Sequence, residues 1–205
     1  MPLIVGADAD KMIWNIDASF AVHQDYKSHP GVSLMLGRGS VLSVSTKQKI
    51  NTKSLTKDEL LGIDNAVTFV MWIKHFFESQ VKQINEHSKL KRLGSDTVIE
   101  QDNTSAIQLE KNGWKSSSKR TKHIDVRYFY VTDRLKKKDI SRIVYKPTGD
   151  MESDYFTKAL QGTPFHTHRK TLMGLDGKND RMFYDKFKHP KINDDKLYTP
   201  QPSPE

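Results

Sequence analysis

Apolar and β-branched residues are concentrated in three short stretches near the start of the chain, which predicts three β-strands. They are residues 12–22 (MIWNIDASFAV), 31–36 (GVSLML) and 40–46 (SVLSVST). Gly37-Arg38-Gly39 separates the second stretch from the third and has the composition of a tight hairpin connection. We therefore expect the chain to open with three antiparallel strands.

The pattern then changes to the period of a helix. Apolar side chains between residues 56 and 80 recur every three or four positions, which predicts the longest helix of the chain. Residues 97–101 and 140–145 are predicted as two further strands. The other predicted helices are residues 104–111, 123–137 and 151–160. The resulting order, βββαβααβα, is that of an α/β domain with a mixed five-stranded sheet whose first three strands are antiparallel.

Length and composition fit one globular domain with flanking segments. The 205 residues are 36% hydrophobic and 28% charged. We expect residues 1–10 to be a connector, residues 11–174 to form the domain, and the proline-containing, charge-balanced residues 175–205 to be disordered. No apolar run reaches the roughly 20 residues that a membrane span needs. Residues 1–6 are too short for a signal-peptide core, so we expect an intracellular protein with no membrane partner.

The net charge of +8 indicates a polyanionic partner. Basic residues cluster within residues 111–122 and 134–138, although a lysine-rich solvated surface would give the same pattern. Cysteine is absent, which excludes disulfides, thiolate metal sites and cysteine nucleophiles. No histidines stand at ligand or relay spacing, and we expect His166 and His168 to be exposed.

Four acidic residues occupy positions that a sheet edge could bring together. Asp17 is the strongest candidate, because strand interiors are depleted in Asp and a half-buried carboxylate needs a counter-charge. Glu59, in the first turn of the long helix, could instead complete a capping box with Thr56. Asp102 follows the fourth strand and could begin a turn. Asp154, in the last predicted helix, could be a first-turn acid favoured by the helix dipole.

A cluster of such carboxylates fits phosphodiester hydrolysis. In that chemistry two divalent cations about 4 Å apart activate water and stabilise the leaving oxygen. Magnesium prefers hard oxygen ligands, so carboxylates on different elements can hold it without histidine. Glycosidases also use paired carboxylates, but that chemistry explains neither the basic surface nor the need for more than two acids.

Several segments carry a more specific signal: WNIDASFAVH, STKQKINTKS followed by DEL, QDNTSAI, SSKRTKHIDVRYFYVTDRL and DMESDYFTKALQG. In sequence and in order they resemble the ribonuclease H domain of copia-type (Pseudoviridae) retrotransposon polyproteins, over about residues 10–174. The resemblance implies a ribonuclease H-like fold, whose element order is the one predicted above. It also implies that Asp17, Glu59, Asp102 and Asp154 are the four catalytic, metal-binding acids.

The function implied by the resemblance is Mg²⁺-dependent cleavage of the RNA strand of an RNA/DNA hybrid. Two ions would bind, with Mn²⁺ as a substitute; Asp17 would contact both, Glu59 and Asp102 the first, and Asp154 the second. A reverse transcriptase domain of the parent polyprotein is the implied partner, and the compartment is a cytoplasmic retroelement particle or the nucleus. The candidate nucleic-acid-binding residues are Asn103, Ser105, Lys119, Arg120, Lys122 and His123.

The chain departs from the family pattern in two places. Relatives usually have S-S-T-E-A-E where this chain has SLTKDE, so Lys57 replaces an acidic neighbour of Glu59. The chain also contains no Tyr-x-Asp-Asp polymerase motif, so we expect a polyprotein fragment or a stand-alone gene derived from one. The alternative function is therefore a degenerate or domesticated remnant that binds nucleic acid without cleaving it. Retention of four acids favours the enzyme, because a pure binder gains nothing from negative charge facing phosphate.

Overall fold

A five-stranded sheet organises the domain, with the strand order β3-β2-β1-β4-β5. The structure is a computed structural model that describes residues 11–51, 54–82, 95–113 and 130–175. The strands are β1 Lys11–Ser19, β2 His29–Met35, β3 Ser40–Ser45, β4 Asp96–Gln101 and β5 Arg142–Tyr145. Strands β1, β2 and β3 pair antiparallel, whereas β4 runs parallel to both β1 and β5. The predicted mixed sheet with three antiparallel leading strands is therefore confirmed.

Helices flank the sheet. They are α1 Leu55–Val81, α2 Thr104–Asn112, α3 at residues 130–136, α4 Asp154–Thr157 and α5 Gly162–Leu172. The predicted start of α3 at residue 123 lies outside the described residues. Among the described residues, no helix combines the length and the apolar composition that crossing a membrane requires.

The end of the domain differs from the prediction. Residues 151–160 do not form one helix; a 3₁₀ turn, Thr148–Asp150, precedes the single-turn helix α4. Helix α5 then follows, so two helices come after β5 where the predicted order βββαβααβα has one. Helix α5 could not be predicted from a repeat of apolar residues, because its buried residues are His168 and Leu172. The expectation that His168 is exposed is also wrong, since only 5% of its surface is accessible.

The two sheet faces have different roles because successive strand side chains point in opposite directions. Trp14 and Ile16 of β1 lie in the main core with Ile63 and Val67 of α1, and all four are fully buried. The intervening Asn15 and Asp17 contact polar groups that follow β5 in the chain. Helix α1 therefore covers one face of the sheet, while the polar residues of β1 meet the end of the domain.

A partly buried lysine joins that end of the domain to the sheet. The Lys146 ammonium, directly after β5, donates hydrogen bonds to Asn15 Oδ1 at 3.0 Å and Glu100 Oε2 at 2.7 Å. It also donates to Glu152, two residues before α4. The short helix is therefore tied to the sheet just ahead of its first residue, Asp154.

All described elements belong to one compact unit, Met1–Leu175. Residues 1–10 and 176–205 lie outside the part of the chain that the structure describes. The predictions for residues 1–10 and for the tail beyond residue 175 therefore remain predictions.

Candidate active site

Three of the four predicted acids meet at one edge of the sheet. Asp17 lies near the carboxyl end of β1, and Asp102 directly follows the carboxyl end of β4, which is parallel to β1. Glu59, in the first turns of α1, reaches the same edge. One carboxylate oxygen from each of the three residues lies within 4.8 Å of the others. Carboxyl ends of parallel strands are where α/β folds place their ligands.

The capping-box alternative for Glu59 is wrong. Helix α1 is capped by Ser54, whose hydroxyl accepts a hydrogen bond from the Lys57 backbone N–H at 3.4 Å. The Glu59 carboxylate instead turns toward the sheet, where Gln101 Nε2 donates to its Oε2 at 3.0 Å. Only 3% of the surface of Glu59 is exposed. Its position therefore belongs to the acidic cluster rather than to the helix end.

Gln101 is a site residue that the sequence reasoning missed. It is fully buried at the end of β4, and its amide oxygen accepts hydrogen bonds from the backbone N–H groups of Asp102 at 2.7 Å and Asn103 at 3.3 Å. With its amide nitrogen on Glu59, Gln101 links two of the three clustered acids. A polar residue at the end of β4, directly before a candidate acid, was the available signal.

Asp102 does not serve as the cap of the next helix. That role belongs to Asn103, whose Oδ1 accepts a hydrogen bond from the Ala106 backbone N–H at 3.1 Å. The Asp102 carboxylate accepts a hydrogen bond from the Thr148 hydroxyl at 2.7 Å. The 3₁₀ turn after β5 therefore holds the third acid of the cluster.

Asp154 reaches Asp17 through a close approach of α4 to β2. Gly31 is the register partner of Asp17, and a Cβ atom on Gly31 would lie 2.6 Å from Thr157 Cγ2. The absence of a side chain lets α4 pack directly on the strand. The Thr157 hydroxyl donates a hydrogen bond to Asp17 Oδ2, and Ser19 Oγ donates to the Thr157 carbonyl oxygen at 2.7 Å. All four predicted acids are thus brought together, with Asp154 beside Asp17 rather than in the group of three.

A lysine supplies part of the counter-charge that the position of Asp17 predicts. Lys158 Nζ lies 2.6 Å from Asp154 Oδ1 and 3.9 Å from Asp17 Oδ2. Asp17 is only 3% exposed. No comparable contact to a cation is present at Glu59 among the described residues.

Burial dominates the electrostatics of the cluster. Desolvation, together with the neighbouring Asp17 and Asp102 carboxylates, raises the pKa of Glu59 to about 9, although the Gln101 hydrogen bond opposes the shift. Burial also raises the pKa of Asp17, against the effects of Thr157 and Lys158. A cation that neutralises this charge would stabilise the ionised carboxylates. An all-oxygen set of buried acids fits a hard divalent cation such as Mg²⁺.

The predicted nucleic-acid residues are only partly described. Asn103 and Ser105 lie at the start of α2, next to Asp102, and Ser105 is exposed. Lys119, Arg120, Lys122 and His123 lie outside the described residues. In the second basic segment, Arg134 pairs with Asp133 and Asp139, and Lys137 pairs with Asp133. Those two basic residues already have acidic partners in the domain.

One pair of histidines contradicts the expectation that none stand at relay spacing. His23 Nε2 lies 3.0 Å from His29 Nδ1, and His29 Nε2 lies 2.7 Å from Ser45 Oγ. The loop before β2 folds back on that strand, which the linear spacing does not reveal. Two histidines do not make such a site by themselves. Among the described residues, the group of at least three side chains that could hold a metal ion is the acidic cluster.

The sheet order, the parallel β1–β4 pair and the acids at its carboxyl end match the ribonuclease H-like fold that the sequence resemblance implies. The chain is similar to the Retrovirus-related Pol polyprotein from transposon TNT 1-94 of Nicotiana tabacum, with 27% identity over 175 residues. The match covers 85% of this chain and 12% of the polyprotein. The resemblance to a retrotransposon polyprotein is thereby confirmed. No family model matches the chain.

Solved structures with a similar chain path include two ribonucleases H1 and a viral protease-reverse transcriptase. RNase H1 from the archaeon Halobacterium salinarum is 12% identical, with a TM-score of 0.44 over 71% of this chain and 93% of that one. LC11-RNase H1 in complex with an RNA/DNA hybrid is 11% identical, with a TM-score of 0.46 over 71% and 92% of the two chains. The foamy viral protease-reverse transcriptase in complex with RNA/DNA hybrid is 15% identical, with a TM-score of 0.48 over 77% and 21%.

Proposed function

We propose that this domain, residues 11–174, is a ribonuclease H that hydrolyses the RNA strand of an RNA/DNA hybrid with two bound Mg²⁺ ions. The observation that carries the proposal is the convergence of Asp17, Glu59 and Asp102 oxygens within 4.8 Å at the carboxyl edge of the sheet. The contact of Asp154 with the same Asp17 extends the cluster on its other side. The similarity to a retrotransposon Pol polyprotein supports the assignment, and a reverse transcriptase domain is the proposed partner.

Each of the four acids has a role in binding the two ions. Asp17, Glu59 and Asp102 would hold the first ion, and Asp17 with Asp154 would hold the second. When bound, such ions activate water and stabilise the leaving oxygen of the phosphodiester, and Mn²⁺ can replace Mg²⁺. Gln101 and Thr148 keep Glu59 and Asp102 aimed at the shared edge through hydrogen bonds of 3.0 and 2.7 Å.

The substrate approaches along the start of α2. Asn103 and Ser105 directly follow Asp102, where they hydrogen-bond the 2′-hydroxyls that distinguish RNA from DNA. Lys119, Arg120 and Lys122 hold the phosphate backbone by charge, and His123 is a further hydrogen-bonder to the 2′-hydroxyls. Because the Asn103 amide oxygen caps α2, its amide nitrogen is the group that donates to the substrate.

Cleavage of a hybrid with a labelled RNA strand tests the function. In Mg²⁺ the native chain cuts, and Asp17→Asn cuts at least about a hundredfold more slowly. Asp133→Asn removes an acid from the surface pairs of α3 and serves as the matched control, with cutting unchanged.

Two results would contradict the proposal in different ways. Equal cutting by the native chain and Asp17→Asn would overturn the site. No cutting by either chain, with hybrid binding retained in a gel-shift assay, would establish the non-cleaving remnant instead.

A further inference from the structure

Lys158 lies on the Asp154 side of the acidic site, outside the group formed by Asp17, Glu59 and Asp102. Its ammonium lies 2.6 Å from Asp154 Oδ1 and 3.9 Å from Asp17 Oδ2, the same Asp17 oxygen that accepts the Thr157 hydroxyl. The cluster therefore has two halves. Asp17, Glu59 and Asp102 form one, and Asp17 with Asp154 forms the other, which already faces a positive charge.

The backbone that carries Lys158 is held in place independently of its ammonium. The Lys158 N–H donates to the Asp154 carbonyl oxygen at 3.0 Å, and the neighbouring Thr157 carbonyl accepts the Ser19 hydroxyl at 2.7 Å. The lysine side chain is a flexible four-carbon stem ending in three rotatable donors. Its charge can therefore leave the carboxylates without moving α4, and 38% of its side chain is already exposed.

An ammonium at Asp154 Oδ1 competes with a divalent ion for the same carboxylate charge. Mg²⁺ binds oxygen at about 2.0–2.1 Å and needs near-octahedral access. The Lys158 nitrogen stands 2.6 Å from Asp154 Oδ1, on the side that faces Asp17. Two cations held by the same pair of carboxylates would also repel each other at short range.

We propose that Lys158 is a resident counter-cation that competes with the second divalent ion for Asp154 and Asp17. The inference rests on the proposed two-metal function. It makes ion binding stepwise: the first ion enters the half formed by Asp17, Glu59 and Asp102, and the second binds only as the Lys158 ammonium withdraws.

Titration of the full chain with Mn²⁺ alone, following free Mn²⁺ by electron paramagnetic resonance, tests the proposal without nuclease activity. Lys158→Met should tighten the second binding step about tenfold, within the range of typical couplings between two sites. The first step should stay within about twofold of the native value. Lys158→Arg keeps the charge and should bind like the native chain. Asp154→Asn should remove the second step.

Lys11→Met is the matched control for losing one positive charge. Lys11 is exposed and begins β1, so it lies about 20 Å along the strand from Asp17. Its loss should change neither binding step.

A purely structural Lys158 would have the opposite effect, because its loss would misplace Asp154. An unchanged or weaker second step in Lys158→Met therefore overturns the inference. Absence of any Mn²⁺ binding in every chain overturns the proposed function instead, so the two failures are distinguishable.

Discussion

Replacing Gly31 by alanine tests whether the direct packing of α4 on β2 builds the site. The new Cβ atom would lie 2.6 Å from Thr157 Cγ2, 2.9 Å from Phe156 Cβ and 2.9 Å from the Ser153 carbonyl oxygen. The last of these is backbone, so no side-chain rotation relieves all three contacts. Helix α4 therefore has to move away from the sheet by about 1 Å to reach ordinary van der Waals separation.

The size of the effect follows from two opposing contributions. Overpacking a close contact of this kind costs about 1–3 kcal/mol. Alanine recovers about 0.5 kcal/mol through its lower conformational entropy in the unfolded chain. We expect a net loss of about 0.5–2.5 kcal/mol in the free energy of unfolding. A displacement of about 1 Å of Asp154 and Thr157 from Asp17 should slow hybrid cleavage about a hundredfold.

Urea denaturation and hybrid cleavage measure both effects, and Gly62→Ala is the matched control. Gly62 lies within α1, where a Cβ atom would meet Ala18 Cβ at 3.5 Å, an ordinary contact. A helix-interior alanine should raise stability by about 0.5–1 kcal/mol and leave cleavage unchanged. If Gly31→Ala were as stable and as active as the native chain, α4 would not be positioned by this contact.

Two further predictions concern buried carboxyl groups. Glu110 is fully buried in α2, and neither of its carboxyl oxygens has a hydrogen-bond partner among the described residues. Burial, with a smaller effect of Asp64, holds the pKa of Glu110 well above its ordinary value. The folded state therefore keeps a proton that the unfolded state loses, and stability falls by about 1.4 kcal/mol per pH unit as pH rises between the two pKa values. Glu110→Gln should remove this slope in urea denaturation at several pH values, and an unchanged slope would contradict the assignment. Because burial and Asp17 raise the pKa of Glu59 to about 9, binding of Mg²⁺ at neutral pH should release a proton, and affinity should increase with pH. Calorimetry in buffers of different ionisation enthalpy measures that proton, and equal heats in all buffers would refute it.

The sheet and the first part of the site could be predicted because strong local signals mark them. Alternating apolar residues define β1, and an aspartate inside that strand requires a counter-charge, so Asp17 could be identified from its position alone. Glu59 and Asp102 could not be identified that way. Capping and turn formation are local uses of the same side chains, and only the three-dimensional contacts with Gln101 and Thr148 decide between the alternatives.

The end of the domain was harder to predict because its structure depends on contacts rather than on periodicity. Helix α4 has a single turn, too short for a helical repeat to be detected, and its position depends on Gly31 far away in sequence. Helix α5 buries His168, a polar residue that an apolar repeat does not include. The pairing of Lys158 with Asp154 follows from a spacing of four residues, but its approach to Asp17 requires the fold.

The hydrogen bond from Thr157 to Asp17 joins residues 140 positions apart, so the order of synthesis matters for the candidate site. Strand β1 leaves the ribosome first, yet its aspartate has neither the threonine hydroxyl nor the lysine charge until the last segment of the domain has been made. Contacts of such long range form late and slow the folding of mixed α/β domains. A nascent or truncated chain that ends before residue 154 could gather the three clustered acids but not the fourth, and therefore could not complete the proposed two-metal site.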